Sequence, residues 1–187
     1  MNHTELVQRI EQVGLDRRIW IVNWQLTSLP ENIGDLTDLT GLRLDRNQLT
    51  SLPISIGKLV NLTYLDLTDN RINSLSKSIG NLVSLTSLSL CNNQITRLPE
   101  SIGNLSKLTS LNLSSIDNNY RKSYNQITSL SDNIGNLNRL NHLYIKGNKL
   151  ADLPVSIGNL TNLTFLTCNC PRVGASNGFQ PLKVLGS

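Results

Sequence analysis

Aromatic residues are scarce in this 187-residue chain, which contains two Trp, four Tyr and two Phe. Cysteine and histidine are also rare, with three and two copies. No apolar run approaches the roughly 20 residues that cross a bilayer, and residues 1–16 show neither the basic nor the apolar region of a secretory signal. The odd cysteine count, without framework spacing, argues against a disulfide scaffold and predicts a reducing cytoplasmic location.

Charge is moderate and unevenly placed along the chain. The net charge is +4, which is far from the basic stripe expected of a nucleic-acid binder. Residues 1–93 carry 8 Lys/Arg and 9 Asp/Glu, whereas residues 94–187 carry 9 and 4, giving balances of −1 and +5. This difference predicts that an acidic partner is steered toward the C-terminal half.

A 23-residue pattern recurs along the chain: L-x-x-L-x-L-x-x-N-x-L-x-x-L-P-x-x-I-G-x-L-x-x. Clean copies begin at Leu39, Leu62, Leu85 and Leu140. An opening copy starts near Asp16, the copy from Leu108 carries nine extra residues, and a seventh from Leu163 loses its landmarks. Repeats of this length, each too small to bury its own apolar face, stack into solenoids.

The residue types in each copy predict its local structure. The L-x-L alternation indicates a short strand with one buried face, L-P a turn or extended element, and S-I-G-N-L a 3₁₀ or short helical return. The Asn that follows each strand is expected to be buried and to hydrogen-bond the backbone of neighbouring turns. These residues are Asn47, Asn70, Asn93, Asn125 and Asn148.

The predicted fold is of the α/β class: a curved solenoid with a parallel sheet of about seven strands on its concave side. We interpret residues 1–187 as one domain. Residues 1–15 form a helical cap, 16–170 about seven repeats with an insertion at 116–124, and 171–187 an irregular tail. The tail either covers the sheet edge irregularly or leaves it open, as in a fragment of a longer array, and an open edge favours self-association.

The repeat resembles the leucine-rich repeat family over about residues 16–170. Its L-P-x-x-I-G variant is similar to the intracellular Ras-group type of Ras-binding and Ras-suppressor scaffolds, Scribble-like proteins, plant homologues and bacterial Roco proteins. The resemblance implies a non-catalytic signalling scaffold whose partner is a small GTPase or another signalling domain. The resemblance to Roco proteins is confined to the repeats and includes no GTPase domain.

The third, fifth and seventh residues of each copy should face outward on the concave side, opposite the leucines. Four of the eight aromatic residues fall there, which favours a binding surface, although stacking among neighbouring strands would also explain them. Trp20, Arg43 and Asp66 should lie side by side at one end, an arrangement in which Arg43 stacks on Trp20 and pairs with Asp66. The three residues form either a binding hot spot or a self-satisfied surface ladder that contributes little. The predicted partner-binding residues of this face are Trp20, Arg43, Asp66, Tyr64, His142, Tyr144, Lys146 and Phe165.

The nine inserted residues follow the fifth strand, at the rim of the concave side. A loop there lengthens at little cost to the stack. It is either a solvated loop tip or a rim loop that folds over the basic end of the surface. The second interpretation assigns partner contacts to Tyr120, Arg121, Lys122 and Tyr124.

No catalytic, metal or cofactor site is predicted. Cys91 and His142 both face the concave side but should lie two strands apart, roughly 10 Å, too far for a nucleophile and its base. Cys168-x-Cys170 lacks the second pair of a zinc site. We therefore expect a protein-interaction module, with a self-associating element or a fragment of a larger signalling protein as the alternative.

Overall fold

Seven strands of the repeats, and one more, form a single parallel sheet in a computed structural model that describes residues 17–115, 124–169 and 183–184. The strands pair in sequence order. They are β1 (Arg18–Trp20), β2 (Gly41–Arg43), β3 (Tyr64–Asp66), β4 (Ser87–Ser89), β5 (Ser110–Asn112), β6 (His142–Tyr144), β7 (Phe165–Thr167) and β8 (Lys183–Val184). Six 3₁₀ helices alternate with them: η1 (Glu31–Asp35), η2 (Ile54–Lys58), η3 (Lys77–Asn81), η4 (Glu100–Asn104), η5 (Asp132–Asn136) and η6 (Val155–Asn159). The predicted solenoid is confirmed.

The strand leucines form one continuous core. Leu42 pairs with Leu65, and Leu65 with Leu88, in the same register throughout. The middle residue of each of β1 to β7 is buried, whereas the two residues beside it are in most strands more exposed. A three-residue strand cannot bury such a face alone, so stacking stabilises every copy.

The buried asparagines form the predicted ladder between copies. Asn93 donates its Nδ2 hydrogens to the carbonyls of Leu67, at 2.9 Å, and Leu90, at 3.1 Å. Its Oδ1 accepts from the backbone N–H of Ile72 at 3.0 Å. Asn47, Asn70, Asn125 and Asn148 make the corresponding bonds. One amide thus satisfies backbone groups of two successive turns that would otherwise be buried without partners.

A second ladder, which the sequence analysis did not identify, precedes the strands. The Thr63 hydroxyl donates to the carbonyl of Thr40 at 2.9 Å, and Thr86 and Thr109 repeat this contact with the previous copy. Because these hydroxyls are exposed, each bond contributes less than a buried one. The signal in the sequence was a recurring Thr directly after the first leucine of the copy.

Each 3₁₀ helix begins after a residue with extended backbone. Four copies use proline there, and Pro53 has φ −62° and ψ 151°. The other two use serine: Ser76 adopts φ −66° and ψ 153° and its hydroxyl accepts from the N–H of Ser78. Proline fixes the required φ, whereas serine reaches the same geometry and caps the helix.

Glycine in these helices permits close stacking of neighbouring copies. A Cβ added at Gly80 would clash with the backbone carbonyl of Ser101 and lie 2.6 Å from its Cβ. The sequence Ser-Ile-Gly-Asn-Leu recurs around Gly158, yet a Cβ there meets nothing within 4 Å in the described chain. The two glycines therefore share a local sequence and differ in their neighbours.

We expect Gly80→Ala to lower the free energy of unfolding by about 1–3 kcal/mol, the usual cost of overpacking. Gly158→Ala should leave it unchanged or raise it by up to about 1 kcal/mol, because alanine restricts the unfolded chain. Urea denaturation followed by circular dichroism measures both. Equal effects of the two substitutions would show that stacking does not select the glycine.

The insertion leaves the stack intact. Leu113 and Ser115 donate to the carbonyls of Tyr144 and Lys146, so β5 and β6 stay in register. Asn125 then resumes the ladder by donating to Leu113 and Leu90. The prediction that the flanking core remains intact is confirmed.

Gly147 lies in the turn that follows β6, at a position where four other copies also have positive φ. The equivalent turn residues Asn23, Arg46, Asp69 and Asn92 have φ between 53° and 60°. Ser115 does not share this conformation, and its carbonyl approaches Gly147 so closely that a Cβ there would overlap it. Gly147 also has φ +79°, a region that favours glycine.

At the C-terminal end, β8 pairs with β7 through Phe165–Lys183 and Leu166–Val184. The edge of β7 is thus covered over two residues by a strand from the segment predicted to be an irregular tail. The predicted N-terminal helix lies outside the described residues. Across the segments that are described, no helix has the length and apolar character needed to cross a membrane.

Candidate functional site

The concave wall consists of the outward side chains of β1 to β7 together with the residue two positions after each strand. Strand pairing places these side chains in straight rows. One row runs through the first strand residues: Arg18, Gly41, Tyr64, Ser87, Ser110, His142 and Phe165. The next runs through the last: Trp20, Arg43, Asp66, Ser89, Asn112, Tyr144 and Thr167. The predicted alignment of Trp20, Arg43 and Asp66 is confirmed.

The N-terminal patch of the wall comprises Trp20, Arg43, Asp45, Tyr64 and Asp66. Arg43 Nε donates to Asp45 Oδ1 at 2.7 Å and lies 3.8 Å from Asp66 Oδ2. The Tyr64 hydroxyl donates to the same Asp66 oxygen at 3.2 Å. The carboxylates are therefore covered, with side chains only 6% and 13% exposed for Asp45 and Asp66.

This network shifts two pKa values. The hydrogen bond and charge of Asp45 raise the pKa of Arg43 above its usual value. Burial, with the nearby Asp66 carboxylate, raises the pKa of Tyr64. Both side chains therefore keep their protons across the physiological pH range.

Trp20 remains outside this network. It is 62% exposed, and the predicted stack of Arg43 on Trp20 is wrong: among the described residues, the two side chains form no cation–π contact. The guanidinium turns toward Asp45 because a charge-assisted hydrogen bond at 2.7 Å is stronger than an exposed cation–π contact. The expected pairing with Asp66 exists but is the longer of the two.

The C-terminal patch comprises His142, Tyr144, Lys146 and Phe165. Its three rings contact one another, with centroids 5.1 Å apart for Tyr144–Phe165, 6.0 Å for His142–Phe165 and 6.2 Å for His142–Tyr144. All three are half-buried, whereas Lys146 is exposed. The alternative in which wall aromatics stack across neighbouring strands is thus realised here and not around Trp20.

Small polar side chains lie between the patches. Ser89 shares a hydrogen bond of 2.8 Å with Thr68, and Asn112 accepts from the Ser114 hydroxyl at 2.7 Å. These contacts run within and between neighbouring strands, so the middle of the wall is largely satisfied internally.

The predicted rim loop falls almost wholly outside the described residues. This applies to Tyr120, Arg121 and Lys122, while Tyr124 is described and half-buried. The described residues that flank the loop lie together: Ser115 donates its N–H to the carbonyl of Lys146 and its hydroxyl to the carbonyl of Asn125. Its two ends therefore lie at the rim next to the C-terminal patch.

Comparison with known proteins agrees with this architecture. A family model for a leucine-rich repeat region matches residues 54–122. Among 330 matching solved chains, the structure of a leucine-rich repeat protein from Leptospira interrogans shows 32% sequence identity and a TM-score of 0.56. These are leucine-rich repeats. The match covers 76% of this chain and 40% of the Leptospira chain, so this chain spans less than half the length of that protein.

A comparison with curated proteins found no match to this sequence. Leucine-rich repeat domains are in general non-enzymatic modules for protein interaction. The Ras-group type, inferred from the repeat consensus, stays a prediction.

Cys91 is the buried thiol of the leucine-rich repeat wall. Ser114 Oγ lies 3.4 Å from its Sγ, and burial is the main reason that the pKa of Cys91 is raised. His142 lies two strands away on β6. A thiol that keeps its proton is a poor nucleophile. Within the described segments, no group of three or more His, Cys, Asp or Glu could hold a metal ion.

The other described cysteine differs from expectation. Cys168 is buried in the core and is disulfide-bonded. Cys170 lies outside the described residues. Because disulfides are typical of oxidising compartments, the cysteine content no longer supports a cytoplasmic location.

We expect Cys91 in the folded chain to react with a disulfide reagent such as DTNB at least about tenfold more slowly than in urea. Its folded pKa lies above the unfolded value, so the thiol favours folding below about pH 8.5 and loses this contribution as the pH rises further. Absorbance at 412 nm follows the reaction, and Cys91→Ala identifies the signal. Rapid labelling without urea would contradict a buried, protonated thiol.

Proposed function

We propose that this chain is a non-catalytic interaction module that binds a partner protein across the concave wall and the 116–124 rim loop. One observation carries the proposal: exposed aromatic side chains stand on the wall, with Trp20 62% and Tyr64 39% exposed. Exposed aromatics are frequent binding anchors. Their position on a continuous hydrogen-bonded sheet distinguishes them from isolated surface residues.

The rigidity of the wall supports binding. Side chains on β1 to β7 are held in register by strand pairing and by the asparagine ladder behind it. A preorganised surface loses little conformational freedom when it binds, so more of the contact energy appears as affinity.

The two patches offer different chemistry. At the N-terminal patch, Trp20 is exposed and unstacked beside the half-exposed guanidinium of Arg43. At the C-terminal patch, the rings of Tyr144 and Phe165 are already packed on each other, and Lys146 supplies a positive charge beside them. A partner that spans both patches would cover six strand spacings, about 29 Å at roughly 4.8 Å each.

The partner class comes from resemblance. The L-P-x-x-I-G consensus is similar to that of Ras-group repeats, which points to a small GTPase or another signalling domain. On the same basis we assign a scaffold role, and a cytoplasmic location rests on this resemblance alone because the disulfide at Cys168 does not favour it. The moderate net charge of +4 argues against a nucleic-acid partner.

Self-association through the C-terminal edge is the second candidate. An open edge of β7 motivated it, but β8 pairs with that edge at Phe165 and Leu166. The structure therefore gives the partner-binding candidate more support than this one.

We expect Trp20→Ala and Tyr144→Ala each to weaken binding of a partner captured from the native cell lysate by about tenfold or more, as loss of a buried aromatic anchor does. Ile54→Ala is the control, because Ile54 is 73% exposed but lies on η2, away from the wall. Calorimetry measures affinity, and circular dichroism checks that the fold survives. Unchanged affinity in both wall variants would place the site elsewhere.

Deletion of residues 116–124 restores the 23-residue spacing, and we expect the shortened chain to fold because Asn125 already resumes the ladder. If the loop contacts the partner, affinity should fall by about tenfold or more. Tyr120→Ala and Arg121→Ala in the full chain separate contacts from loop length. A folded deletion variant that binds equally well would reduce the loop to a tolerated insertion.

A further inference from the structure

The N-terminal patch hides its negative charges and presents its positive ones. Arg43 and Arg46 have side chains 44% and 63% exposed, yet both lie within 4 Å of Asp45, whose carboxylate is almost wholly covered. Asp66 is similarly covered by Arg43 and Tyr64. An approaching molecule therefore meets guanidinium groups before carboxylates.

Arg43 is held ready to bind an anion. Its Nε and Nη2 both donate to Asp45, at 2.7 and 3.5 Å, which fixes the plane of the guanidinium. Within the described chain Nη1 forms no hydrogen bond, so donors remain for a ligand. Arginine recognises carboxylates through such fixed donors, and the side chain loses little freedom on binding because Asp45 already orients it.

Arg18 is a second cation at this end of the wall and, unlike Arg43, has no ion-pair partner among the described residues. Its Cγ lies 3.1 Å from the point where a Cβ would stand on Gly41, so the side chain extends over that glycine. Its guanidinium makes no ion pair with any described residue. Gly41 belongs to the row between Arg18 and Tyr64. Gly41 is buried beneath the Arg18 side chain, which packs against the sheet at this position.

The ion pairs of this region engage Arg43 and Arg46 but not Arg18. Arg43 lies within 4 Å of both wall carboxylates, Asp45 and Asp66, and Arg46 lies within 4 Å of Asp45, whereas Arg18 pairs with no described residue. A third acid, Asp69, lies in the turn after β3 and accepts from Asn92 at 2.9 Å. Since the wall carboxylates already pair with Arg43 and Arg46, the charge of Arg18 is the one that no described carboxylate compensates.

We propose that the N-terminal patch binds an acidic segment of a partner protein, in which an Asp or Glu side chain engages Arg18 and Arg43 and a neighbouring apolar side chain packs on Trp20. This inference rests on the proposed function and names the chemistry of the partner. Charge complementarity supports it, because a basic segment would meet two guanidinium groups with no accessible carboxylate. A nucleic acid is disfavoured, because the row of separate phosphate-binding cations that a strand needs is replaced by arginines paired to aspartates.

The experiment is a display selection. A library of random 12-residue peptides is selected on the full chain and counter-selected on Trp20→Ala. Enriched peptides are then measured by fluorescence anisotropy against the unmodified chain, Arg18→Gln, Arg18→Glu and Arg139→Gln. Arg139 is the matched control, an exposed arginine between η5 and β6 that lies off the wall. A labelled single-stranded DNA 20-mer is titrated in parallel.

We expect enriched peptides to share an Asp or Glu next to an aromatic or aliphatic residue. Arg18→Gln should weaken them about tenfold and Arg18→Glu more, with Arg139→Gln neutral, and raised salt should also weaken binding. Three results would overturn the inference: Trp20-dependent peptides without a shared acid, no Trp20-dependent peptide at all, or DNA binding with the same Arg18 dependence. The first leaves the wall as a binding site intact. In the second and third cases, the lysate partner's response to Trp20→Ala and Tyr144→Ala decides separately whether the wall binds protein.

Discussion

The buried asparagine after each strand is the interaction on which the remaining structure depends. The amide of Asn93, for example, donates to the carbonyl of Leu90 in its own copy and to that of Leu67 in the preceding copy. It also accepts a hydrogen bond from the backbone N–H of Ile72 in the preceding copy. No apolar side chain could leave these backbone groups satisfied. The amide therefore fixes where each copy turns inward, which sets the strand register and with it the rows of the wall.

This constraint separates the positions that hold the fold from those free to vary. The sequence has extra residues between Leu113 and Asn125, yet β5 and β6 pair in the usual register and the amide of Asn125 continues the ladder. In the turn after β6, Gly147 accommodates the carbonyl of Ser115. A loop can thus be added at the rim while the leucines behind it keep their contacts.

The features that could be predicted from the sequence are those that recur in every copy of the repeat. The strands, the asparagine ladder and the side-by-side placement of Trp20, Arg43 and Asp66 follow from period and spacing. The orientation of Arg43 could not be predicted in this way, because Asp45 and Asp66 both lie within reach of its guanidinium. In the structure Arg43 Nε lies 2.7 Å from Asp45 and 3.8 Å from Asp66. The stacking of the ring cluster around Tyr144 and the bond at Cys168 likewise depend on rotamers and on non-repeating neighbours.

Charge shows most clearly what composition alone does not record. The N-terminal half has a formal balance of −1, which directed an acidic partner toward the other half. On the wall, however, Asp45 lies beneath two arginines and Asp66 beneath Arg43 and Tyr64, while Glu31 and Asp35 lie on η1, away from the wall. A partner responds to the charges that it can approach. At the N-terminal patch the guanidinium groups are therefore more accessible than the carboxylates, a difference that depends on burial and that a count of residues does not record.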